Sequence, residues 1–425
     1  MSEPEAGPEE QPRIPLLKRL GPGLITGASD DDPSGIATYS QAGAQFGYGL
    51  VWLVLFTTPL MIGIQIISAR IGRVTGHGLA ANIREHFPRP LLYGVVSLLL
   101  VANTFNIAAD LGAMGAAMEL VLGGSGSLYI VLFALVSLAL QIFVPFPRYS
   151  PILKWMTVVL LAYVGTVFVV HVPIEELVQA ILPTRQHSGE YLSLLVAVLG
   201  TTISPYLFFW QASQEVEEQR ATPGHEPLRN APEQGREQLR RIGFDTYIGM
   251  IYSNLIALCI MLTAAATLHA AGHTEIRSAA QAAEALRPLA GEFAFLLFSL
   301  GIIGTGMLAV PVLAGSAAYA VAESFRWPIG LGLKLAEARG FYTILTAATV
   351  LGVAINFSGI DALKALVWAA ILNGVVSVPI MAVLMMLAVK PEVMGPFVVR
   401  RRLWFLGWLA TAVMAAAVVA MFVLM

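Results

Sequence analysis

Apolar runs of about twenty residues recur along the whole chain, and no other feature limits its possible folds so strongly. Of the 425 residues, 57% are hydrophobic and 12% are charged, whereas a soluble domain typically has about 25% charged residues. An apolar run of about 20 residues is the length of a helix that crosses a lipid bilayer. The sequence therefore predicts an all-α polytopic membrane protein.

We expect about 11 transmembrane helices, because short linkers with Gly, Pro or charged residues separate the apolar stretches. The stretches cover roughly 17–46, 49–69, 92–121, 128–146, 151–171, 191–218, 244–270, 290–323, 340–358, 361–388 and 403–424. The first twelve residues, MSEPEAGPEEQP, are acidic and rich in proline. They lack the basic start and apolar core of a signal peptide, so 1–12 is predicted to be a disordered cytoplasmic tail.

The distribution of positive charge predicts the orientation. With the N-terminus inside, all 25 Lys and Arg residues lie on the inner side except Arg185, Arg277, Arg287 and Lys364. Cytoplasmic loops carry an excess of Lys and Arg. We therefore expect an integral protein of a bacterial inner membrane with a cytoplasmic N-terminus. The net charge of −2 gives no reason to expect a nucleic-acid partner, and the oligomeric state is left open.

The stretch GASDDDPSGIAT, from Gly27 to Thr38, interrupts the first apolar segment. Proline removes a backbone donor and clashes with the preceding turn, so the helix should stop near Asp32 and restart near Gly35. A broken backbone at this depth is tolerated only where it lines a cavity or is buried in protein. The carboxylates of Asp30, Asp31 and Asp32 need a cation, a partner or water there.

A second interruption lies in the sixth apolar segment, at Ser204-Pro205. Both prolines could merely kink structural helices, but segments one and six each begin a group of five. Broken helices at corresponding positions of two repeats indicate a transporter with inverted repeats and a midplane site, a LeuT-like fold. The predicted divisions are a first five-helix repeat at 13–172, an outer loop at 173–190, a second repeat at 191–389 with a cytoplasmic loop at 219–242, and an eleventh span within 390–425.

The residues around the breaks favour a hard cation as the substrate. Half-helix C-terminal ends and unwound carbonyls attract cations, and carboxylate, carbonyl and hydroxyl oxygens suit Mg²⁺, Ca²⁺ or Mn²⁺. We expect Asp32 to bind the ion directly, and Asp31 to act as an outer-sphere group or a structural cap. The seven histidines fall in loops or at segment ends, and the single cysteine, Cys259, offers no CxxC site.

The quoted stretches resemble a known family. GPGLITGASDDDPSGIATYSQAGAQFGYGLVW is similar to the first span of NRAMP-type divalent metal transporters, whose motif there is Asp-Pro-Gly-Asn, and TTISPYLFFWQ is similar to the sixth, which carries Met-Pro-His. The likeness extends over about 13–424. It implies that the metal is bound by the first motif's aspartate and asparagine, the second motif's methionine, and carbonyls one turn before each break.

Carried over residue by residue, the resemblance assigns Asp32 to the aspartate, and Gly35 stands where the asparagine would be. Ser204 stands where the methionine would be, and the carbonyl donors match Ser29 and Thr201. Tyr206 replaces the motif histidine usually assigned to proton transfer. In span three, NIAADLGAMGAAMEL has Asp110 at the position of the family's glutamate, whereas a second expected acid is Ile107. Asp110 and Tyr206 are therefore candidates for a proton or ion path.

These departures favour the NRAMP-related branch of magnesium-type transporters. A thioether favours Mn²⁺, Fe²⁺ and Cd²⁺ over Mg²⁺ and Ca²⁺, so its loss leaves a roomier site for a hard, partly hydrated ion. Without the histidine and one acid, we expect transport that is not proton-coupled. Asn373 in span ten is a further candidate, because the resemblance puts a polar residue of that span near the ion; its alternative role is as a helix-packing amide.

Other functions stay open. A proton-coupled Mn²⁺/Fe²⁺ transporter would keep the same architecture, as would a transporter of an organic cation or amino acid. A membrane sensor is disfavoured by the lack of a sizeable soluble domain. We expect no enzyme activity, since no nucleophile–base pair or cofactor motif is present, and no cofactor beyond the divalent metal carried as substrate.

Overall fold

The computed structural model describes residues 21–145, 148, 155, 158–170, 172–183 and 188–424. The predicted tail at 1–12 lies outside these residues. Within them the chain is helical, and no strand occurs. Away from the helix ends and the two breaks, the backbone polar groups of the apolar segments are thus satisfied inside each helix, as a lipid environment requires.

The first half of the chain begins with a broken helix. Its two parts end and restart around Asp31 and Asp32. The helices are α1 (Pro22–Asp30), α2 (Pro33–Phe46), α3 (Val51–Thr75), α4 (Leu79–His86), α5 (Arg89–Leu122), α6 (Gly126–Phe143), α7 (Leu161–Val169) and α8 (Ile174–Gln179).

The second half begins with a second broken helix, interrupted at Ile203 and Ser204. The helices are α9 (Gly189–Thr202), α10 (Pro205–Ala221), α11 (Gly235–Ala264), α12 (Ala279–Glu284), α13 (Arg287–Ala290), α14 (Ala294–Ser324), α15 (Arg339–Asn356), α16 (Ala362–Ala388), α17 (Pro391–Met394) and α18 (Arg401–Leu424). A π-helical turn, Ala265–His269, extends α11.

Among the described residues, eight helical segments are long and apolar enough to cross a membrane. The broken pair α1–α2, the partly described fifth segment and α15 are not among these eight. With them, the eleven predicted spans each correspond to helical structure. The repeat boundaries stay a prediction. The linker predicted at 219–242 is shorter than expected, because α10 continues to Ala221 and α11 already begins at Gly235.

The broken helices lie in the middle of the bundle. The long helix α5 packs along α14, α15 and α16, while α1 packs along α11, and α9 along α16. A small residue permits the α1–α11 crossing: a Cβ on Gly249 would lie 2.3 Å from the carbonyl oxygen of Gly23. This close approach fixes α1, and with it the first break, against α11.

Candidate metal site

The first break is held open by its own side chains. Asp32 has an extended backbone and caps α2, and its Oδ1 accepts a hydrogen bond from the Gly35 N–H at 2.6 Å. Ser34 donates its hydroxyl to the carbonyl of Leu366 on α16, at 2.8 Å. An N-cap aspartate satisfies a donor that the broken helix leaves free, so the carboxylate of Asp32 is fixed at the edge of the break.

The second break follows the same principle with hydroxyl groups. Ser204 donates to the carbonyls of Gly200 and Thr201, at 2.9 and 3.0 Å. Ser377 of α16 donates to the carbonyl of Ile203, at 2.8 Å. Carbonyls that α9 cannot satisfy internally are therefore bonded by serine, and α16 contacts both breaks.

Tyr206 joins the two breaks directly. Its hydroxyl lies 3.0 Å from the Ser29 carbonyl oxygen and 3.4 Å from Oδ2 of Asp32. Tyr39 and Thr202 form a second connection, with their hydroxyl oxygens 3.1 Å apart. Two of the predicted donors, the Ser29 carbonyl and the Asp32 carboxylate, thus face the same hydroxyl group.

Gly35 faces the opposite broken helix. A Cβ on Gly35 would lie 3.1 Å from Oγ1 of Thr201 and 3.4 Å from Oδ1 of Asp32. A side chain at this position would therefore point into the space between the breaks. Glycine has none, and the Thr201 hydroxyl, the Asp30 carbonyl and the Asp32 carboxylate pack closely around it.

Asp30 and Asp31 point toward α11 and share one partner there. The hydroxyl of Ser253 lies 2.7 Å from Oδ2 of Asp30 and 3.2 Å from Oδ1 of Asp31. The other oxygen of each carboxylate has no hydrogen-bond partner among the described residues. Neither carboxylate contacts the Tyr206 hydroxyl, so Asp32 alone of the three meets the second break.

Asn373 and Asn106 form a reciprocal amide pair. Each donates to the other's carbonyl oxygen, at 2.8 and 3.1 Å, and both side chains are buried. Asn373 shares a face of α16 with Leu366 and Ser377, the residues that contact the breaks. It therefore lies beside the predicted site with its amide already bonded to α5, and its role as a ligand stays a prediction.

Asp110 is fully buried one turn beyond Asn106 on α5. Neither of its carboxylate oxygens has a hydrogen-bond partner within usual limits in the described part of the chain. The N–H of Ser34 lies near the carboxylate, and Asp110 is close enough to Asp32 for electrostatic repulsion. The structure thus brings this span-three acid to the first break, where its role in an ion or proton path also stays a prediction.

The two ends of the bundle differ around the breaks. On the arginine-rich side, Arg241 bonds Glu215 at 2.6 Å and Glu218 at 3.0 Å, and Asp245 accepts from the Gly23 N–H at 2.6 Å. These contacts close α1, α10 and α11 together. On the other side, a cavity of about 40 Å³ lies between α2, α5, α14 and α16, with α12 above it. It reaches Leu366 and has room for a few waters.

Within the described residues, no three His, Cys, Asp or Glu side chains converge on one point. A cation at the breaks would therefore depend on Asp32 together with carbonyl and hydroxyl oxygens. Such a donor set suits hard ions.

Comparison with known proteins places the chain. The profile of the natural resistance-associated macrophage protein-like (Nramp) family matches residues 23–424. The chain belongs to the Nramp family. It is 28% identical over 406 residues to the divalent metal cation transporter MntH of Klebsiella pneumoniae (strain 342), covering 94% of this chain and 92% of that one. It is 30% identical over 294 residues to the MntH of Erwinia tasmaniensis, covering 68% of each chain.

Solved structures confirm the predicted fold. A mutant of the Eremococcus coleocola manganese transporter superimposes with a TM-score of 0.75 at 19% identity, covering 95% of this chain and 85% of that one. MhsT in complex with L-phenylalanine gives a TM-score of 0.58 at 13% identity, covering 95% and 98%. The all-α polytopic fold of the LeuT-like class with broken helices one and six is therefore confirmed for this Nramp-family chain.

Several residues of this Nramp-family chain that bear on the breaks were not among the predicted ones. Ser253 bonds the aspartates, Ser377 bonds the second break, and Asn106 bonds Asn373. Polar residues inside apolar spans are the only signal that singles them out, and this signal does not say which break each one reaches.

Proposed function

We propose that this chain imports divalent metal cations, Mg²⁺ and/or Mn²⁺, through a midplane site at the breaks of helices one and six. The observation that carries the proposal is the approach of Tyr206 to both Ser29 and Asp32. The Tyr206 hydroxyl thus faces both the carboxylate of Asp32 and the carbonyl of Ser29 at the C-terminal end of α1. Membership in the Nramp family and the similarity to two divalent metal cation transporters, the MntH relatives, support a divalent metal as substrate.

The proposed ligands are Asp32, the carbonyls of Ser29 and Thr201, and the hydroxyl of Ser204. Asp31 acts from outside the coordination sphere in this proposal, and Asn373 acts through its pair with Asn106. Gly35 supplies no side-chain ligand, so in this proposal water stays on the ion in place of that ligand, as Mg²⁺ prefers. The oxygen-only donor set and the absence of a thioether at Ser204 both favour a hard ion.

The driving force in this proposal is the membrane potential, worth about 2.3 kcal/mol per charge per 100 mV. The alternative is a proton-coupled Mn²⁺/Fe²⁺ transporter. One observation favours it: Asp110 is buried beside the first break without a hydrogen-bond partner among the described residues, and a carboxyl group there can carry a proton. We further propose a cytoplasmic N-terminus in a bacterial inner membrane, on the distribution of Lys and Arg, with the repeat boundaries given above.

Uptake by proteoliposomes containing the full chain tests the proposal. We expect accumulation of Mg²⁺ and Mn²⁺, and a drop in uptake at subsaturating metal of about 10- to 100-fold in Asp32→Asn, because a charge-assisted contact contributes about 1.5–3 kcal/mol. Asparagine keeps the helix cap, so the change removes charge rather than structure.

Asp361→Asn is the matched control. Asp361 also caps a helix, accepting from the N–H groups of Leu363 and Lys364, but it is exposed. Its variant should transport as the wild type does. Equal uptake by Asp32→Asn and wild type would rule out the assigned site. A pH indicator inside the vesicles separates the two mechanisms, because acidification that depends on metal entry would establish proton coupling.

A further inference from the structure

A second cavity lies away from the breaks, at the arginine-rich end of the bundle. It has a volume of about 610 Å³ and is lined by four arginines, Arg70 of α3, Arg236 and Arg240 of α11, and Arg400 before α18. Among the described residues, none of the four is in an ion pair. Arg70 and Arg400 are close enough to repel each other. Such a group of like charges is stabilised by an anion.

The rest of the cavity wall is apolar. Leu239, Pro396 and Phe397 line it beside the arginines. The Phe397 ring packs on the first turn of α11, where a Cβ on Gly235 would lie 2.4 Å from a ring carbon. The cavity therefore has positive charge on one side and an apolar surface on the other, which suits an amphipathic anion.

The exposed face of α11 continues this pattern along the helix. Below Arg240 on that face come Phe244, Tyr247, Ile251 and Leu255, which are 42%, 50%, 52% and 47% exposed. Spacings of three and four residues keep these side chains on one face. The order of arginine, aromatic and aliphatic residues is the order of the headgroup region, interface and hydrocarbon of a bilayer.

We propose that this cavity binds the phosphate headgroup of an anionic phospholipid, whose acyl chains lie along the exposed face of α11. Guanidinium groups bind phosphate oxygens in pairs, and basic pockets between membrane helices suit anionic headgroups. Free phosphate would use the same arginines but would gain nothing from Phe397 or the aliphatic part of α11. The apolar continuation therefore selects a lipid.

Native mass spectrometry of the full chain in detergent, with added phosphatidylglycerol or phosphatidylcholine, tests the proposal. We expect wild type to retain phosphatidylglycerol preferentially. The double variant Arg236→Gln/Arg240→Gln should weaken this binding about 25-fold, because each arginine contributes about a factor of five. Arg240→Gln alone should give an intermediate loss, which excludes misfolding of the double variant as the cause.

Arg401→Gln/Arg402→Gln is the matched control, since these exposed arginines adjoin Arg400 but do not line the cavity. It should bind phosphatidylglycerol as wild type does. An equal loss of phosphatidylglycerol binding in this control would show that general surface charge, not the cavity, holds the lipid, and would overturn the proposal. Full displacement of the lipid by millimolar inorganic phosphate would assign the cavity to a free anion. A gain in lipid binding on deletion of 2–12 would assign it to the acidic tail.

Discussion

The hydroxyl oxygen of Tyr206 lies 3.4 Å from a carboxylate oxygen of Asp32, and this contact joins the restart of one broken helix to the break of the other. The same hydroxyl lies 3.0 Å from the Ser29 carbonyl. One proton donor thus faces two acceptors that we propose as metal ligands. In the proposed site, a bound metal would compete with the Tyr206 proton for the same oxygens.

This competition gives the first prediction. Tyr206→Phe removes the hydroxyl that faces the Ser29 carbonyl and Oδ2 of Asp32, while Oδ1 of Asp32 keeps the Gly35 N–H. The metal-free protein should therefore lose about 1–3 kcal/mol of stability. Saturating Mn²⁺ should then raise the melting temperature more in the variant than in wild type. Tyr129→Phe, which removes an exposed hydroxyl bonded to Gly123 at 2.8 Å, is the control. A smaller metal-induced shift in Tyr206→Phe would mean that the hydroxyl is itself a ligand.

The second prediction concerns metal preference. Gly35→Asn supplies an amide oxygen between the breaks, and Thr201→Ala removes the hydroxyl that a Cβ there would approach to 3.1 Å while keeping the Thr201 carbonyl. The double variant should shift uptake toward Mn²⁺ and away from Mg²⁺, because the amide oxygen replaces a water that Mg²⁺ retains. Gly35→Ala/Thr201→Ala adds bulk without a donor and should lower uptake of both ions. An unchanged Mn²⁺ to Mg²⁺ ratio would argue against Gly35 as a determinant of selectivity.

A third prediction follows from the ion pair that closes the arginine-rich side. Glu215 is fully buried and bonded to Arg241 at 2.6 Å. Arg241→Met should cost about 1–3 kcal/mol, since it leaves the buried carboxyl group of Glu215 without its hydrogen-bonded partner. Glu215→Gln/Arg241→Met should lose less than Arg241→Met alone. A double-mutant cycle on thermal stability measures this coupling, and additive losses would show that the pair does not act as a unit.

The fourth prediction tests the crossing that positions the first break. In Gly249→Ala the new methyl group would lie 2.3 Å from the Gly23 carbonyl oxygen, so α1 must move or the protein must unfold. We expect a marked loss of both stability and uptake. Gly243→Ala, on the same helix, has nothing within 4 Å of the added methyl and should be neutral or stabilising by about 0.5–1 kcal/mol. Equal behaviour of the two variants would disprove the steric argument.

The sequence alone determined the class of fold and the position of both breaks. A charged side chain in the hydrocarbon core costs free energy, so such residues are rare in membrane spans. Proline disrupts a helix, because it lacks the backbone N–H and clashes with the preceding turn. For these reasons Asp32-Pro33 and Ser204-Pro205 mark the interruptions without any knowledge of packing. The resemblance of the same two stretches to NRAMP-type transporters also named the family that the comparisons confirm.

Only the tertiary structure decided which polar groups meet. Asp30, Asp31 and Asp32 are neighbours in the sequence. The Ser253 hydroxyl nevertheless contacts the first two carboxylates, whereas the Tyr206 hydroxyl contacts the third. Asn373 is hydrogen-bonded to Asn106, and four arginines that are distant in the sequence line one cavity. Such partners depend on how each helix rotates and crosses its neighbours. That is set by close contacts such as the one between Gly23 and Gly249, which no local pattern of residues encodes.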